Sequence, residues 1–506
     1  MTLNTSASSH DLARTGEEER RPWAAQLLAI MPLVVVFTLS LAHPLDPDLG
    51  WHLKYGEYIT QHHALPRGNT FSAEMPGYPY INHAWGSDVM LYAVFQAFGF
   101  PGVILLSATI MTLTFACFSR AARLSFWEEA VLFPPMLYLL NPIIEQSFRS
   151  QLISLLGLGL LFRLLERAET RSLSSLPLAV PLFLLWANLH GQFIVGLGLY
   201  ACWSGTYLLR IRAAGRGMPM AFPRRELLRV LAVGLAATLA TLVTPHGLAI
   251  YGEIAHHAGT NLQQYVNEWQ PINLEARLWW PYLLWGVILA ANSLLLYRQR
   301  QLLAKAHYLL PTIILLVATW HQRRHFWPLV LISMPIAAPW ITRLRPPRPA
   351  MARAIALALL LGAYVYGGAI HLPKQHLFAF DWHLYCRHLG CTSQSADFLQ
   401  GHLAGQPLLT DYDYGGWLIW NYPAIKPTID GRMPFWRDDT GYSAYEQYLS
   451  LENGTTDIEE SPYTMVYWST KKEAMFNRLS QLAAEGKWRL AYADPFASVF
   501  VRNQAP

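Results

Sequence analysis

The chain has 506 residues, of which 53% are hydrophobic and only 14% charged. Soluble proteins keep about a quarter of their residues charged, so a shortfall this large excludes an ordinary water-exposed surface over most of the molecule. The net charge of +5 does not point to nucleic acid, because the basic residues lie in short loops between apolar runs, where they encode membrane orientation. Four cysteines are too few for a disulfide framework.

In chain order, residues 1–21 form a polar cytoplasmic tail. The apolar stretch from Trp23 to Ala42 is long enough to cross a bilayer and is read as a retained first helix rather than a cleaved signal. Further apolar spans follow near 100–119, 126–144, 151–165, 175–188, 192–209, 227–245, 279–297, 306–320, 326–342 and 354–372. In lipid each must be helical. Residues 22–372 thus read as a membrane domain of about eleven transmembrane helices, with a first outer loop at 44–86.

The loops give the orientation. One set (120–125, 164–174, 210–229, 298–305, 343–353) carries 17 Lys/Arg in 56 residues, and the alternate set only 6 in 94. The first set is therefore cytoplasmic, and an odd helix count places the C-terminal part outside. That corresponds to the inner membrane and periplasm of a Gram-negative host. Ten of the eighteen histidines lie in the outer loops, together with Asp46 and Asp48. An active site would open outward.

Residues 373–506 read as a soluble extracytoplasmic α/β domain. Strands are expected at 407–412, 426–430 and 464–469, a helix over 471–486, and a hairpin around Asp494-Pro495. The segment Gly415–Tyr422 reads as a short helix or a second strand. Cys386 and Cys391 could pair in an oxidising compartment.

Candidate chemistry starts in the first outer loop, at Asp46-Pro47-Asp48. One of these carboxylates could act as general base on an acceptor hydroxyl. Alternatively the pair could supply hard oxygen ligands to Mg2+ or Mn2+. The structural alternative is that Asp48 caps a helix starting at Leu49. Arg149, Arg323 and Arg324 lie on the outer face, where orientation does not explain them. Guanidinium groups clamp phosphate, and equally anchor to lipid headgroups or pair with outer-loop acids. His52, His83 and His190 are candidate substrate contacts, against the plainer role of packing histidines. In the soluble domain Asp411, Asp413 and Asp430 with Arg432 form an acidic set that either binds acceptor or makes local ion pairs.

The segments DPDLGWHLKYGEYI, PRGNTFS and PYINHAWGSDVML, followed in order by RSQLISLL, LLWANLHGQFIVGL, TPHGLAIYGEI, EWQPIN and DYDYGGWLIW…IDGR, resemble a family of bacterial multispanning proteins. That family is similar to the C-type glycosyltransferase superfamily, whose members use polyprenyl-phosphate-linked sugars. The resemblance runs from residue 43 to about 432. It implies an acidic residue of the first outer loop in catalysis, by position Asp46 or Asp48. It further implies a polyprenyl-phosphate-sugar donor and a glycan, lipid or protein acceptor in the cell envelope. The sequence departs from the pattern at Ala84, where similar sequences carry an acid after the Asn-His pair. Two alternatives remain: a lipid or glycan transporter, and an inactive scaffold in polysaccharide assembly.

Overall fold

The computed structural model describes residues 22–214, 224–259, 266–272, 279–302, 305–371, 377–402 and 406–503. The polar tail 1–21 lies outside the described residues. Helices occupy every expected apolar stretch: α1 (Pro22–Leu39), α2 (Leu49–His62), α3 (Trp85–Ala122), α4 (Phe126–Ile144), α5 (Ser150–Thr170), α6 (Ala179–Leu189), α7 (Phe193–Ala214), α8 (Arg224–Ala240), α9 (Ala249–Gly259), α10 (Trp279–Arg298), α11 (Ala306–His321), α12 (Phe326–Ile332), α13 (Met334–Arg343) and α14 (Pro349–His371). Two of these, α2 and α9, are short helices in the outer loops rather than spans.

By length and composition, three described helices can cross a membrane: α3, α10 and residues 349–368 of α14. The bent pair running from Arg323 through α12 and α13, with 53° between its halves, makes a fourth. The expectation of eleven crossings is not confirmed. Several of the other apolar runs stop short, at 10–17 residues, as in α11 and the first helix. In α3, α10 and α14 only 22–33% of the most apolar window is buried within the protein. Apolar surface turned outward on this scale belongs against lipid, and the protein is a multi-pass membrane protein.

The C-terminal part opens with α15 (Trp382–Leu389) and α16 (Ser393–His402), then continues with β1 (Leu408–Thr410), α17 (Gly415–Asn421), α18 (Ala444–Glu452), β2 (Met465–Ser469), α19 (Glu473–Ala484), β3 (Trp488–Ala493) and β4 (Ala497–Arg502). The sheet order is β1-β2-β4-β3, with β1 parallel to β2 and the other pairs antiparallel. Every residue of β2 is buried, as its central position requires. The expected hairpin is β3–β4, and α19 ends two residues before Gly486, whose φ is 75°. Cys386 and Cys391 are disulfide-bonded.

Residues 426–430 are not a strand of this sheet. Thr428 pairs with Thr410 beside β1 through its side chain, Thr410 N donating to Thr428 Oγ1 at 2.8 Å. On its other side the segment accepts backbone bonds from the first outer loop, Ala73 N to Pro427 O at 2.8 Å and Glu74 N to Thr428 O at 3.2 Å. The run bridges two parts of the protein.

Glycines set how closely those parts approach. A Cβ on Gly50 of α2 would stand 1.9 Å from the Gly416 carbonyl oxygen, and one on Gly416 would stand 2.2 Å from Pro47 O. Only glycine at both positions allows α17 to seat its backbone on the Asp-Pro-Asp turn. The GGWLIW segment is therefore a helix docked on the first outer loop.

Candidate active site

The docked domain, the outer loops and the helix ends enclose a cavity of about 500 Å³. Its wall includes Asp46, Asp48, His52 and His83 from the first outer loop, and Arg149 and Gln151 at the start of α5. His190 and Gln192 come from the α6–α7 junction, Glu268 and Trp269 from the 266–272 loop, and Arg324 and His325 from the turn after α11. The soluble domain adds Tyr412, Gly431, Arg432 and Phe435. Segments far apart in sequence thus converge on one pocket of the size that binds small molecules.

Arg149 organises its acidic side. Its Nε donates to Asp46 Oδ2 at 2.6 Å, Nη2 to Asp46 Oδ1 at 3.1 Å, and Nη1 to Glu268 Oε2 at 2.9 Å. Gln151 supports Glu268 Oε1 at 3.3 Å. Burial opposes the guanidinium charge, but Asp46, Glu268 and Asp48 together push its pKa above the ordinary arginine value. Arg149 thereby pairs with outer-loop acids and leaves Asp46 fully engaged. Tyr385 of the soluble domain donates to the Asp46 carbonyl at 2.5 Å and pins the turn from the other side.

Asp48 differs from its neighbour. It occupies the N-cap position of α2, yet its carboxylate makes no capping hydrogen bond. Arg149 Nη2 stands 3.9 Å away, and the Asp48 side chain keeps a quarter of its surface accessible. The carboxylate lies against Gly431, where a Cβ would be 1.7 Å from Oδ1. Burial, then the charge of Asp46, push Asp48 up to about 6 against the opposing pull of Arg149 and His52. The result is a carboxylate facing the cavity, with a proton affinity close to neutral pH.

His52, one turn into α2, places Nδ1 2.5 Å from Asp88 Oδ1, and Asn82 Nδ2 donates to Asp88 Oδ2 at 2.6 Å. Asp88 sits four residues after Ala84, one helical turn later, so this chain has a buried acid beside the Asn-His pair despite the alanine. Burial works against the His52 imidazolium, but Asp88, with Asp48 and Asp46 beyond it, outweighs this and raises its pKa. His83 goes the other way: burial, with His257 and Arg324 nearby, lowers it to about 3. It is neutral at any working pH. His190 is buried and accepts or donates at Nδ1 to Ser154 Oγ, 2.7 Å away. His257 also lines the cavity, against Phe435.

The arginine pair divides. Arg324 lines the cavity with its guanidinium 4.2 Å from the Trp269 ring, and among the described residues no hydrogen bond takes up its N–H groups. Arg323 is not part of the wall. Its guanidinium fastens the 267–271 loop through Asn267 at 3.2 Å, Gln270 at 2.7 Å and the Pro271 carbonyl at 3.4 Å. Arg323 thus sits as an anchor of that loop, beside the cavity rather than in its wall.

Asp411, Asp413 and Asp430 likewise lie outside the cavity wall. Lys472 Nζ holds Asp411 at 2.6 Å and Asp413 at 3.3 Å, while Asp411 Oδ1 caps the Asp413 N–H. Asp430 pairs with Arg432 at 2.6 Å and accepts from Ser72. Burial opposes its ionisation, but the Arg432 guanidinium and these hydrogen bonds hold its carboxyl below the usual range. Arg432 reaches Asn69 at 3.1 Å amid Tyr55, Phe71, Tyr80 and Trp436, tying the soluble domain to the outer loop. Of this acidic set with Arg432, only Arg432 touches the cavity.

The donor set does not fit a divalent cation between Asp46 and Asp48. Both Asp46 oxygens accept from Arg149, whose guanidinium takes the place of a bridging cation. Sequence reasoning missed Asp88, His257 and Glu268. Glu268 was visible within EWQPIN, and Asp88 as the nearest acid after Asn-His.

The helical membrane layer is capped by a small mixed sheet, with the charged cavity between them. No family model matches the chain, and no curated protein sequence does. Among solved structures, ArnT from Cupriavidus metallidurans in the apo state aligns over 96% of this chain and 98% of its own, with TM-score 0.51 and 13% identity. The same protein bound to undecaprenyl phosphate gives 95%, 98%, 0.50 and 13%. An oligosaccharyltransferase from Archaeoglobus fulgidus in the apo form aligns over 92% of this chain and 71% of its own, at TM-score 0.49 and 11% identity. At such identities the likeness to ArnT establishes a shared fold.

Proposed function

We propose that this protein is a membrane glycosyltransferase that moves a sugar from a polyprenyl-phosphate-linked donor to an acceptor on the extracytoplasmic side. The acceptor would be an envelope glycan, lipid or protein. The observation that carries the reading is the presence, in one cavity, of a carboxylate with no ion-pair partner closer than 3.9 Å and a guanidinium stacked on Trp269, Asp48 and Arg324. That the ArnT structure sharing this fold is bound to undecaprenyl phosphate supports the donor class.

In this reading the acceptor hydroxyl oxygen attacks the anomeric carbon of the donor sugar. The bond between that carbon and the phosphate oxygen breaks, its electron pair stays on the phosphate, and the hydroxyl proton passes to Asp48. Arg324 meets the charge that grows on the departing polyprenyl phosphate. Neutral His83 adds a hydrogen-bonding group without competing for that anion. Arg149 holds Asp46 and Glu268 and so fixes the turn that aims Asp48. No step of the transfer draws on a metal ion.

The test uses membrane vesicles supplied with a radiolabelled polyprenyl-phosphate sugar, reading release of the lipid phosphate. Asp48→Asn is expected to slow release by about 10²–10⁴-fold at unchanged protein level, the usual contribution of a positioned base. Wild-type release from that variant would end the proposal.

A further inference from the structure

At the ends of α5 and α11 away from the cavity, three ligand-bearing side chains meet that the proposed transfer does not use. Glu166 and Glu169 stand three residues apart on the last turns of α5, and so share one face. His307 reaches them from the first turn of α11. Their ligating atoms lie within 4.8 Å of one another, and the described residues hold no other such group of three. The cluster is roughly 26–30 Å along α5 from Arg149, at 1.5 Å per residue.

The imidazole is the telling member. His307 is 6% exposed, and neither ring nitrogen makes a hydrogen bond. Its Nε2 faces Glu169 Oε2 at 3.6 Å and Glu166 Oε2 at 3.9 Å. Those gaps are too wide for hydrogen bonds. The Glu169 gap matches two ligands of one ion, which at about 2.1 Å from the metal and tetrahedral-like angles stand roughly 3.4–3.8 Å apart, and the Glu166 gap lies just beyond that range. Tyr308 donates to Glu166 and holds its carboxylate in place, while Arg123 approaches from a largely exposed position at 3.5 Å.

We infer that Glu166, Glu169 and His307 form a divalent-cation site that staples α5 to α11. One imidazole and two carboxylates, with water in the remaining position, suit Zn2+. The ion joins the far ends of the two helices whose near ends present Arg149 and lead into Arg324, so it sets the spacing of the cavity's two cationic anchors.

The experiment uses the full chain in detergent, freed of any affinity tag and stripped with chelator, then titrated with Zn2+ by calorimetry. Metal content is measured after gel filtration. One equivalent per chain is expected, with a rise in melting temperature on zinc addition. His307→Ala and Glu169→Gln should each weaken binding by more than the roughly 10–100-fold cost of losing an outer-shell partner. Melting temperatures without zinc report whether the variants fold, and Glu169→Gln, nearly isosteric, serves if His307→Ala does not. Asp48→Asn should retain its equivalent. Failure of the wild type to bind, unchanged affinity in Glu169→Gln, or loss of zinc in Asp48→Asn would each overturn the site.

Discussion

Two Asp-x-Asp pairs, Asp46/Asp48 and Asp411/Asp413, invite the same reading and have opposite fates. One member of each, Asp48 and Asp411, is pushed up to about 6, chiefly by burial. Proton affinity therefore does not separate them. What does is the company of the carboxylate oxygens. Lys472 Nζ sits 2.6 Å from Asp411, whose side chain has no exposed surface, and the same ammonium reaches Asp413 and Glu452. The cation nearest Asp48 stands 3.9 Å off and is spent on Asp46 and Glu268, leaving Asp48 open to the cavity. A perturbed carboxyl marks a site only when something else can reach it.

Removing each carboxylate in turn would break this comparison most sharply. Asp48→Asn is expected to cost about 10²–10⁴ in turnover with little change in melting temperature. Asp411→Asn should leave turnover within a few-fold, while destabilising the soluble domain by about 1–3 kcal/mol as a buried charge-assisted bond is lost. Lys472 keeps Asp413 and Glu452, so the loss stays below that of a stranded buried charge. Comparable turnover losses in both variants would mean that the second pair also serves the reaction.

The arginines extend the same contrast to the cationic side. Arg324→Ala is expected to lower turnover by about 10²–10³, as when one donor to a developing anion is removed. Arg323→Ala loses only the bonds that hold the 267–271 loop. Its effect should be about tenfold or less on turnover, seen mainly as faster proteolysis of that loop. A reversed order of effects would move the phosphate end of the cavity to Arg323.

Much of this was legible in the chain, and the rest was hidden for physical reasons. Apolar run length placed a helix in each expected stretch, and the hairpin and α19 followed from alternation and Gly486. Run length did not determine crossings, because it is blind to bends such as the 53° between α12 and α13. The Asp-Pro-Asp turn stood out by its spacing. That Arg149 would claim Asp46 and leave Asp48 could not be read, because the bond spans 103 residues. Residues 426–430 carry a strand-like sequence, but their backbone carbonyls are taken by the first outer loop and only the Thr428 side chain reaches β1. Gly50 and Gly416 acquire meaning only once their backbones touch.

The smallest effect is the most diagnostic. As a general base Asp48 works only when ionised, so on the acid side of its pKa near 6 the value of kcat/KM should fall about tenfold per pH unit. The charge of Asp46 is one of the influences that raise Asp48, whereas Arg149 lowers it. Asp46→Asn removes the first and frees Arg149 from one of its carboxylates, so both changes favour the ionised form of Asp48. The acid limb of the pH profile should then move to lower pH, with a modest loss at the plateau from a looser turn. Asp413→Asn, beside the sealed pair, should leave the limb where it is. A limb that stays fixed in Asp46→Asn, or moves upward, would show that the ionisation controlling the rate belongs to a group other than Asp48.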